Sequence, residues 1–359
     1  MKKLRTIWLI CAAGLALAAC SRVQMELPES EVSFQVAGLR PATKAPEDYK
    51  NDYQSVPFGA YAWFKGQDPA DNTSFMLNQE VAYDASGNRW VPVGTTYYWP
   101  KSGSLDFICY SPYAAAGGPV IGENTIDYNG WDVSAHPTVD LLYADKAEGL
   151  RNNTTTYAYS GVPVLFRHAL SRLRFTVRMA YTEVTASTGD KTKWEVDVNS
   201  ITLKDIRTTG SLSLEWEGGL WKKPASGAWT PDGTKEDIAL DCSALQTFAD
   251  TTPQEVGESF LVLPQPLDLG QRLVFNLTIR TWRDTGSGYP VTPFITETAI
   301  EVAAGLDNVS LPAWGINQYI HYTLTLTPSR GANADPSEIT FDPAVADWDT
   351  IDTHANINI

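Results

Sequence analysis

The sequence predicts an all-β fold, and three observations lead to that prediction. Apolar residues almost never recur at the three- and four-residue spacing of an amphipathic helix. Short runs that alternate between apolar and polar residues occur throughout the chain, and Gly, Pro, Asn and Asp bound these runs. Strands that are separated by turns, without crossover helices, favour two β-sandwich domains over a parallel-sheet enzyme fold.

The first residues have the features of an exported lipoprotein. Three basic residues precede the apolar run 7–19, which is too short to span a bilayer as a helix. We therefore expect residues 1–19 to be a signal peptide that is removed. Leu17-Ala18-Ala19-Cys20 places a cysteine directly after two small residues. Cys20 is thus expected to receive acyl chains, palmitate among them, that tether the protein outside the cytoplasm.

A short removable strand is predicted after this anchor. Val32, Phe34 and Val36 alternate with polar residues, which is the period of a strand with one buried face. Two basic residues where a protease could cut, Arg40 and Lys44, follow at once in a linker rich in Pro and Ala. If the strand belongs to the folded body and is cut away, the body keeps an open apolar groove. The chain would then be a subunit that awaits another subunit's strand.

The first half of the chain is predicted to contain several short strands. Residues 58–64, 97–100 and 105–110 have the composition of strands. Residues 84–88 are a turn signal between two further short runs, so a hairpin is expected there. From 114 to 156 the chain is rich in Gly, Asn, Asp and Thr, which predicts long loops and only short strands.

The strictest alternation in the chain follows this loop-rich stretch. Apolar and polar residues alternate there, with Leu173, Phe175, Val177 and Met179 on one face and Arg172, Arg174, Thr176 and Arg178 on the other. Such a strand has one face in a core and one in water. The pattern returns at 194–198, at 273–279 and at 320–326, where Tyr322, Leu324 and Leu326 share a face.

We place the domain boundary near residue 160, between the loop-rich stretch and the alternating run. A lipid-anchored propeptide over 20–44 is then followed by an N-terminal sandwich over 45–160 and a C-terminal sandwich over 161–359. A possible donor strand lies at 349–359.

Charge and cysteine content exclude several classes of protein. Without the signal peptide the chain has 24 basic and 42 acidic residues, a net charge of about −18. Such a balance argues against nucleic acid and anionic membrane surfaces as partners. Only Cys109 and Cys242 remain after Cys20, which is too few for a disulfide scaffold in a chain of this length. Cys109 is expected to pack as a small hydrophobe.

The sequence indicates no enzyme, no metal site and no cofactor. Its four histidines are far apart, none has a metal-ligand neighbour at three or four residues, and His168 is expected to be structural. Asp284-Thr285-Gly286-Ser287 matches half of an aspartic-protease site, but no second copy exists and a turn over 284–288 explains it better. Trp216, Trp221 and Trp229 could form a platform for sugar stacking, although large aromatics also fill thin β-sandwich cores.

Several motifs occur in a fixed order along almost the whole mature chain. They are Leu17 to Cys20, Phe58-Gly59-Ala60-Tyr61-Ala62-Trp63, Tyr98-Trp99-Pro100 with Leu105-Asp106-Phe107, Phe166-Arg167-His168-Ala169-Leu170-Ser171-Arg172-Leu173, Leu263-Pro264-Gln265, Trp314 with Asn317, Tyr319 and Tyr322, Ile339-Thr340-Phe341, and Val345-Ala346-Asp347-Trp348. The ordered set resembles the fimbrillin family of Bacteroidetes, the pilins of type V fimbriae.

The resemblance implies two transthyretin-like Greek-key β-sandwich domains in tandem and export as a lipoprotein of the cell outer membrane. It also implies that a trypsin-like maturation protease removes the first strand and that a later subunit fills the groove with a donor strand. The implied partners are other pilin subunits of the same fimbria and, for adhesion, host or bacterial surface ligands. Arg40 departs from the pattern because Pro41 follows it, which such proteases usually refuse, so Lys44 is an alternative cut.

The carboxyl end has the alternation of a donor strand. Ile351, Ala355, Ile357 and Ile359 lie on one face of an extended chain. A strand in its own domain is an equally simple explanation of the pattern. The sequence therefore favours a structural fimbrial subunit, whether shaft, tip or anchor, over two alternatives. These are a monomeric surface lipoprotein that binds glycans through exposed tryptophans and, last, a hydrolase.

Overall fold

The structure is a computed structural model that describes residues 30–37, 53–87, 89–115, 118–151, 161–223, 228–268, 270–306, 311–328 and 338–347. These residues include no α-helix and two 3₁₀ turns, Tyr53–Ser55 and Pro69–Asp71. Their strands, in chain order, are β1 (Phe34–Ala37), β2 (Phe58–Lys65), β3 (Thr73–Asp84), β4 (Arg89–Pro92), β5 (Ser104–Ser111), β6 (Val120–Ile121), β7 (Thr125–Asp132), β8 (Leu142–Ala144), β9 (Ala147–Leu150), β10 (Val162–His168), β11 (Ser171–Met179), β12 (Glu183–Thr185), β13 (Lys191–Arg207), β14 (Thr209–Glu217), β15 (Leu220–Lys222), β16 (Trp229–Pro231), β17 (Lys235–Leu240), β18 (Gln254–Val262), β19 (Arg272–Asp284), β20 (Ile295–Gly305), β21 (Gln318–Thr327) and β22 (Glu338–Asp347). The predicted all-β class is confirmed.

The first sheet closes on itself into what we call the ring. Its strands pair in the order β2, β3, β4, β1, β10, β8 and β5, and β5 also pairs with β2. The short strand β9 pairs with β5 outside this closed path. Alternate side chains point into the ring and form one core, in which Ala60 and Ala62 are fully buried beside aromatic rings. Strand β1 is therefore one of the links on which closure depends.

The C-terminal half is a sandwich of two further sheets. One has the order β18, β11, β21, β22, and the other has the order β12, β13, β19, β20 with β17 paired to β13. Leu173, Phe175, Val177 and Met179 all lie in the core between them, as their alternation predicts. Tyr322, Leu324 and Leu326 of β21 lie in the same core, and Tyr322 stacks on Phe175.

The opposite face of β11 was predicted to lie in water, but it is only partly exposed to solvent. Arg172 and Thr176 are buried, whereas Arg178 is exposed. Strand β11 lies between β18 and β21, so side chains from both neighbours cover its polar residues. Arg172 Nε donates to Ser259 Oγ at 2.8 Å, and Thr176 Oγ1 lies 2.6 Å from His321 Nε2. Hydrogen-bonded partners thus make burial of these polar groups tolerable.

A fourth sheet, which we call the joint sheet, connects the two halves of the chain. It has the order β15, β14, β7, β6, with β16 paired to β14. Strands β7 and β14 come from opposite sides of residue 160 and pair in antiparallel fashion. The joint sheet packs on the outside of β5 and β8 through a third core that includes Ile126, Leu212 and Leu214. The boundary near residue 160 stays a prediction, and β10, which begins just after it, belongs to the ring.

One predicted strand of the first half is reduced to a short contact. Residues 97–100 form a single bridge, between Tyr98 and Glu31. The hairpin predicted around 84–88 is confirmed, because β3 and β4 pair from Val81–Pro92 to Asp84–Arg89. Pro100 lacks an N–H group and cannot extend a ladder, which explains why pairing of 97–100 stops early.

Candidate functional site

The candidate site is the groove of the ring that holds β1. Strand β1 runs parallel to β10, with Phe34 opposite Val162 and Ala37 opposite Leu165. On its other side Phe34 pairs with Trp90 of β4. The amide of Val162 donates to the carbonyl of Ser33 at 2.7 Å. The first strand therefore bridges two strands that have no other direct pairing in the ring.

Residues just before β1 extend its attachment. The Val32 amide donates to the Tyr97 carbonyl at 2.8 Å, and the Trp99 amide donates to the Ser30 carbonyl at 3.0 Å. Glu31 lies 3.3 Å from Arg89 in an ion pair whose two side chains are almost half exposed. An exposed pair of this kind contributes little to stability. Backbone hydrogen bonds and apolar burial hold this segment, and charge does so only weakly.

The apolar side chains of this segment enter the ring core. Val32 and Phe34 are each 2% exposed, Val36 is partly buried, and Gln35 between them is exposed. The Phe34 ring meets Phe58 at 5.5 Å and Phe107 at 5.7 Å between centroids, both edge-on. The larger aromatic side chains that complete this wall are Trp90, Trp99 and Phe166. Such edge-to-face contacts add to the stabilisation from burial alone.

Gly161 allows the backbone of β1 to approach closely. Its φ is +83°, a conformation that L side chains rarely adopt. A Cβ atom at this position would also lie 2.8 Å from the Phe34 carbonyl carbon and from the Ser33 oxygen. Glycine is thus required here both by the turn and by the strand that lies against it. The sequence alone gave no signal that distinguishes Gly161 from ordinary turn glycines.

The thiol in the wall of the groove is shielded from solvent. It belongs to Cys109, which is free and 2% exposed, and burial raises the pKa of that thiol. Such a protonated thiol is a poor nucleophile. Among the described residues, no group of three His, Cys, Asp or Glu side chains could hold a metal ion. The groove is suited to receive an extended apolar strand.

The other residues considered from sequence have structural roles. His168 is buried, with Nδ1 2.6 Å from Asp140 Oδ2. Asp284 Oδ1 accepts three backbone N–H groups, from Gly286, Ser287 and Gly288, as expected for a turn. The same hydrogen bonds, Gly286 foremost, lower the pKa of Asp284.

The three tryptophans of the joint sheet are used in packing. Trp229 is buried and its Nε1 donates to the Ala169 carbonyl at 2.6 Å. Trp221 Nε1 donates to the Ala144 carbonyl at 3.0 Å, and its ring meets Trp216 edge-on at 5.1 Å. A sugar-binding platform needs exposed ring faces, and these rings are largely covered by the protein itself.

Most of the other predicted site residues lie outside the described part of the chain. They are Cys20, Arg40, Lys44, Ile351, Ala355, Ile357 and Ile359. Val32, Phe34 and Val36 are described and lie in the groove, but their removal is a separate matter that stays a prediction. No helix in the described ranges is long and apolar enough to cross a bilayer.

Comparison with known proteins gives a family and a fold. A family model described as fimbrillin-like matches residues 43–348. The crystal structure of a fimbrial protein from Bacteroides vulgatus is similar with a TM-score of 0.52 and 15% identity, over 89% of this chain and 99% of that one. A candidate cell adhesion protein from Bacteroides uniformis is similar with a TM-score of 0.48 and 16% identity, over 89% and 98% of the two chains. No curated protein matches the sequence.

Proposed function

Because the chain belongs to the fimbrillin-like family, we propose that it is a fimbrial subunit that assembles when one strand in its ring is exchanged for another. Family membership makes it a structural protein and not an enzyme. In the proposed sequence of events, a trypsin-like protease cuts at Arg40 or Lys44, β1 leaves, and a strand from another subunit enters the groove.

The observation that supports this proposal is the way β1 is attached. Both basic residues follow Ala37, the last residue of β1, and precede Phe58, the first residue of β2. A cut at either one therefore leaves β1 bound to the body only by non-covalent contacts. These contacts are backbone hydrogen bonds, three apolar side chains and one exposed ion pair. A second extended segment can reproduce binding of this kind.

The proposed donor is the carboxyl end of another copy. Ile351, Ala355, Ile357 and Ile359 repeat the alternate spacing with which Val32, Phe34 and Val36 fill the groove. At roughly 3.3 Å per residue, the last eleven residues could span about 36 Å when extended. That length is close to the diameter of one domain and is sufficient to reach a neighbouring subunit.

Acylation at Cys20 gives the same cut a second effect. Cys20 precedes both basic residues, so a cut would separate the folded body from its proposed outer-membrane anchor as well as from β1. A copy that is not cut would keep both. Shaft or tip subunits would thus be the cut form, and an uncut copy would serve as the anchor at the cell surface.

Replacement of both basic residues tests the role of the cut. We expect the double variant Arg40→Ala with Lys44→Ala to stay at its precursor length. It should form no polymers that resist warm detergent and appear as ladders of bands on a gel. Lys101→Ala, which removes an exposed lysine from a turn elsewhere, is the matched control and should assemble normally. N-terminal sequencing identifies the cut. Ladders from the uncut double variant would refute strand release as the trigger.

Deletion of the carboxyl end tests the donor separately. A chain without Ile357 to Ile359 should be exported, cut and folded, but should form no ladders. If it assembles, donation comes from another segment; if it does not fold, the end is a strand of its own domain.

Adhesion is the role that we propose for the assembled fimbria, with host or bacterial surface molecules as ligands. Membership of the fimbrillin-like family and the similarity to a fimbrial protein from Bacteroides vulgatus support a role at the cell surface. No observation within the described ranges favours the alternative of a monomeric glycan-binding lipoprotein, because Trp221 and Trp229 are engaged in packing.

A further inference from the structure

A buried lysine lies beside a side-chain amide and a carboxylate in the first half of the chain. The Lys146 side chain is 2% exposed, although it is part of the short connection between β8 and β9. Its Nζ lies 2.7 Å from Asn124 Oδ1 and 3.3 Å from Asp106 Oδ2. Glu148 Oε1, on a side chain that is 47% exposed, is also 3.3 Å away. Lysine is rarely buried to this degree without a specific reason.

The cluster has the parts needed for formation of an amide bond. An amine is a nucleophile once it has lost its extra proton, and a buried carboxylate at contact distance can accept that proton. The amide carbon of Asn124 lies one C=O bond, about 1.2 Å, beyond the oxygen that Nζ already contacts. Asp106 is held in place because its Oδ1 accepts the Gly149 amide at 2.7 Å. The Lys146 amine therefore lies within 3.3 Å of both the amide that it would attack and the carboxylate that would accept its proton.

From this geometry we infer that Lys146 and Asn124 join in an intramolecular isopeptide bond, with Asp106 as the group that moves the protons. Asp106 accepts one proton from the Lys146 ammonium. Nζ then attacks Cγ of Asn124, the bond from Cγ to Nδ2 breaks, and a new bond from Cγ to Nζ forms. Nδ2 leaves as ammonium with one proton from Nζ and the proton that Asp106 held, which restores the carboxylate. No oxidant, cofactor or second protein is required.

The bond would connect two parts of the architecture. Asn124 is in the turn between β6 and β7 of the joint sheet, and Lys146 directly precedes β9, which pairs with a strand of the ring. The inference does not depend on the proposed fimbrial role, since the reaction would take place within one folded chain.

Peptide mapping of the folded mature chain provides a direct test. Trypsin cleaves after Lys101, Lys146 and Arg151, and no other Lys or Arg lies between Lys101 and Arg151. A bonded Lys146 resists cleavage, so we expect one peptide over 102–151 that is lighter than its sequence by one ammonia. Recovery of the separate peptide 102–146 at its full mass from the wild-type chain would overturn the inference.

Three variants make the test specific to the three residues. Asn124→Ala, in an exposed turn, and Lys146→Arg, which keeps the positive charge, should both restore the full mass. Asp106→Asn should slow bond formation by about 10²-fold or more, as loss of a proton-transfer group does. Asn124→Asp should give the same bond with loss of water in place of ammonia. Loss of ammonia from the Asn124→Ala chain would also overturn the inference, because another pair would then be responsible.

Discussion

Replacement of Phe34 by alanine should loosen β1 from the ring. Burial of a phenylalanine side chain contributes about 1.5–3 kcal/mol, and each of its edge-on contacts with Phe58 and Phe107 adds roughly 0.5–1.5 kcal/mol. The cavity left behind brings the total cost to about 3–5 kcal/mol. This is a large fraction of the stability of a typical domain.

The loss of stability caused by Phe34→Ala has an upper limit that depends on how the chain unfolds. Strand β1 can detach locally while the rest of the ring stays folded, so the measured cost cannot exceed the free energy that holds β1. Hydrogen exchange at the Val162 amide reports this opening, because that amide donates to the Ser33 carbonyl. A cost of about 3 kcal/mol raises its exchange rate by roughly 100-fold.

The assay compares the uncut chain with two variants, Phe34→Ala and Gln35→Ala. Gln35 is on the same strand but exposed, so its replacement should change neither the Val162 exchange rate nor the unfolding midpoint in urea. If Phe34→Ala leaves both quantities at the wild-type values, β1 contributes no stability and the groove is not a binding site for strands.

Three further predictions concern single residues. Gly161→Ala should destabilise the uncut chain more than Gly130→Ala. Both glycines have a positive φ, but only at Gly161 would the added Cβ clash with the backbone of β1. Urea unfolding of the two variants measures the difference. Burial lowers the pKa of His321, so the unfolded chain binds the proton more readily than the folded chain does. The free energy of unfolding should therefore fall as the pH drops below about 6.5. In urea titrations, His321→Gln should reduce that fall. In the folded chain without its first 20 residues, a thiol reagent should label the partly exposed Cys242 well before Cys109, and equal labelling rates would contradict the burial of Cys109.

Local pattern was sufficient to predict the fold class and many strands. The alternation from Leu173 to Met179 predicts a buried face because side chains in a strand alternate by geometry alone. The turn signal at 84–88 likewise predicts the hairpin of β3 and β4. Burial of Arg172 could not be predicted in this way, since it depends on Ser259, a partner 87 residues away.

Features that depend on distant pairing were not predictable from the pattern. The spacing of Val32, Phe34 and Val36 indicates a strand but does not indicate β10 as its parallel neighbour. The joint sheet pairs β7 with β14, whose sequences contain no signal for one another. Asp106 and Lys146 meet only because β5 and β9 are neighbours in space.

Closure of the ring determines when unpaired strand edges exist. In the uncut chain each of the seven strands on the closed path has a neighbour on both sides, and only the short β9 lies outside that path. The closed path itself therefore offers no unpaired edge that could template association with other chains. Loss of β1 alone would create two edges at once, on β4 and β10, facing each other across a single gap. A strand that enters is then paired on both sides, whereas an aggregate that adds to an outer edge satisfies only one. If the proposed cut at Arg40 or Lys44 occurs, the closed ring would keep the subunit latent before it, and association would become possible only once β1 is released.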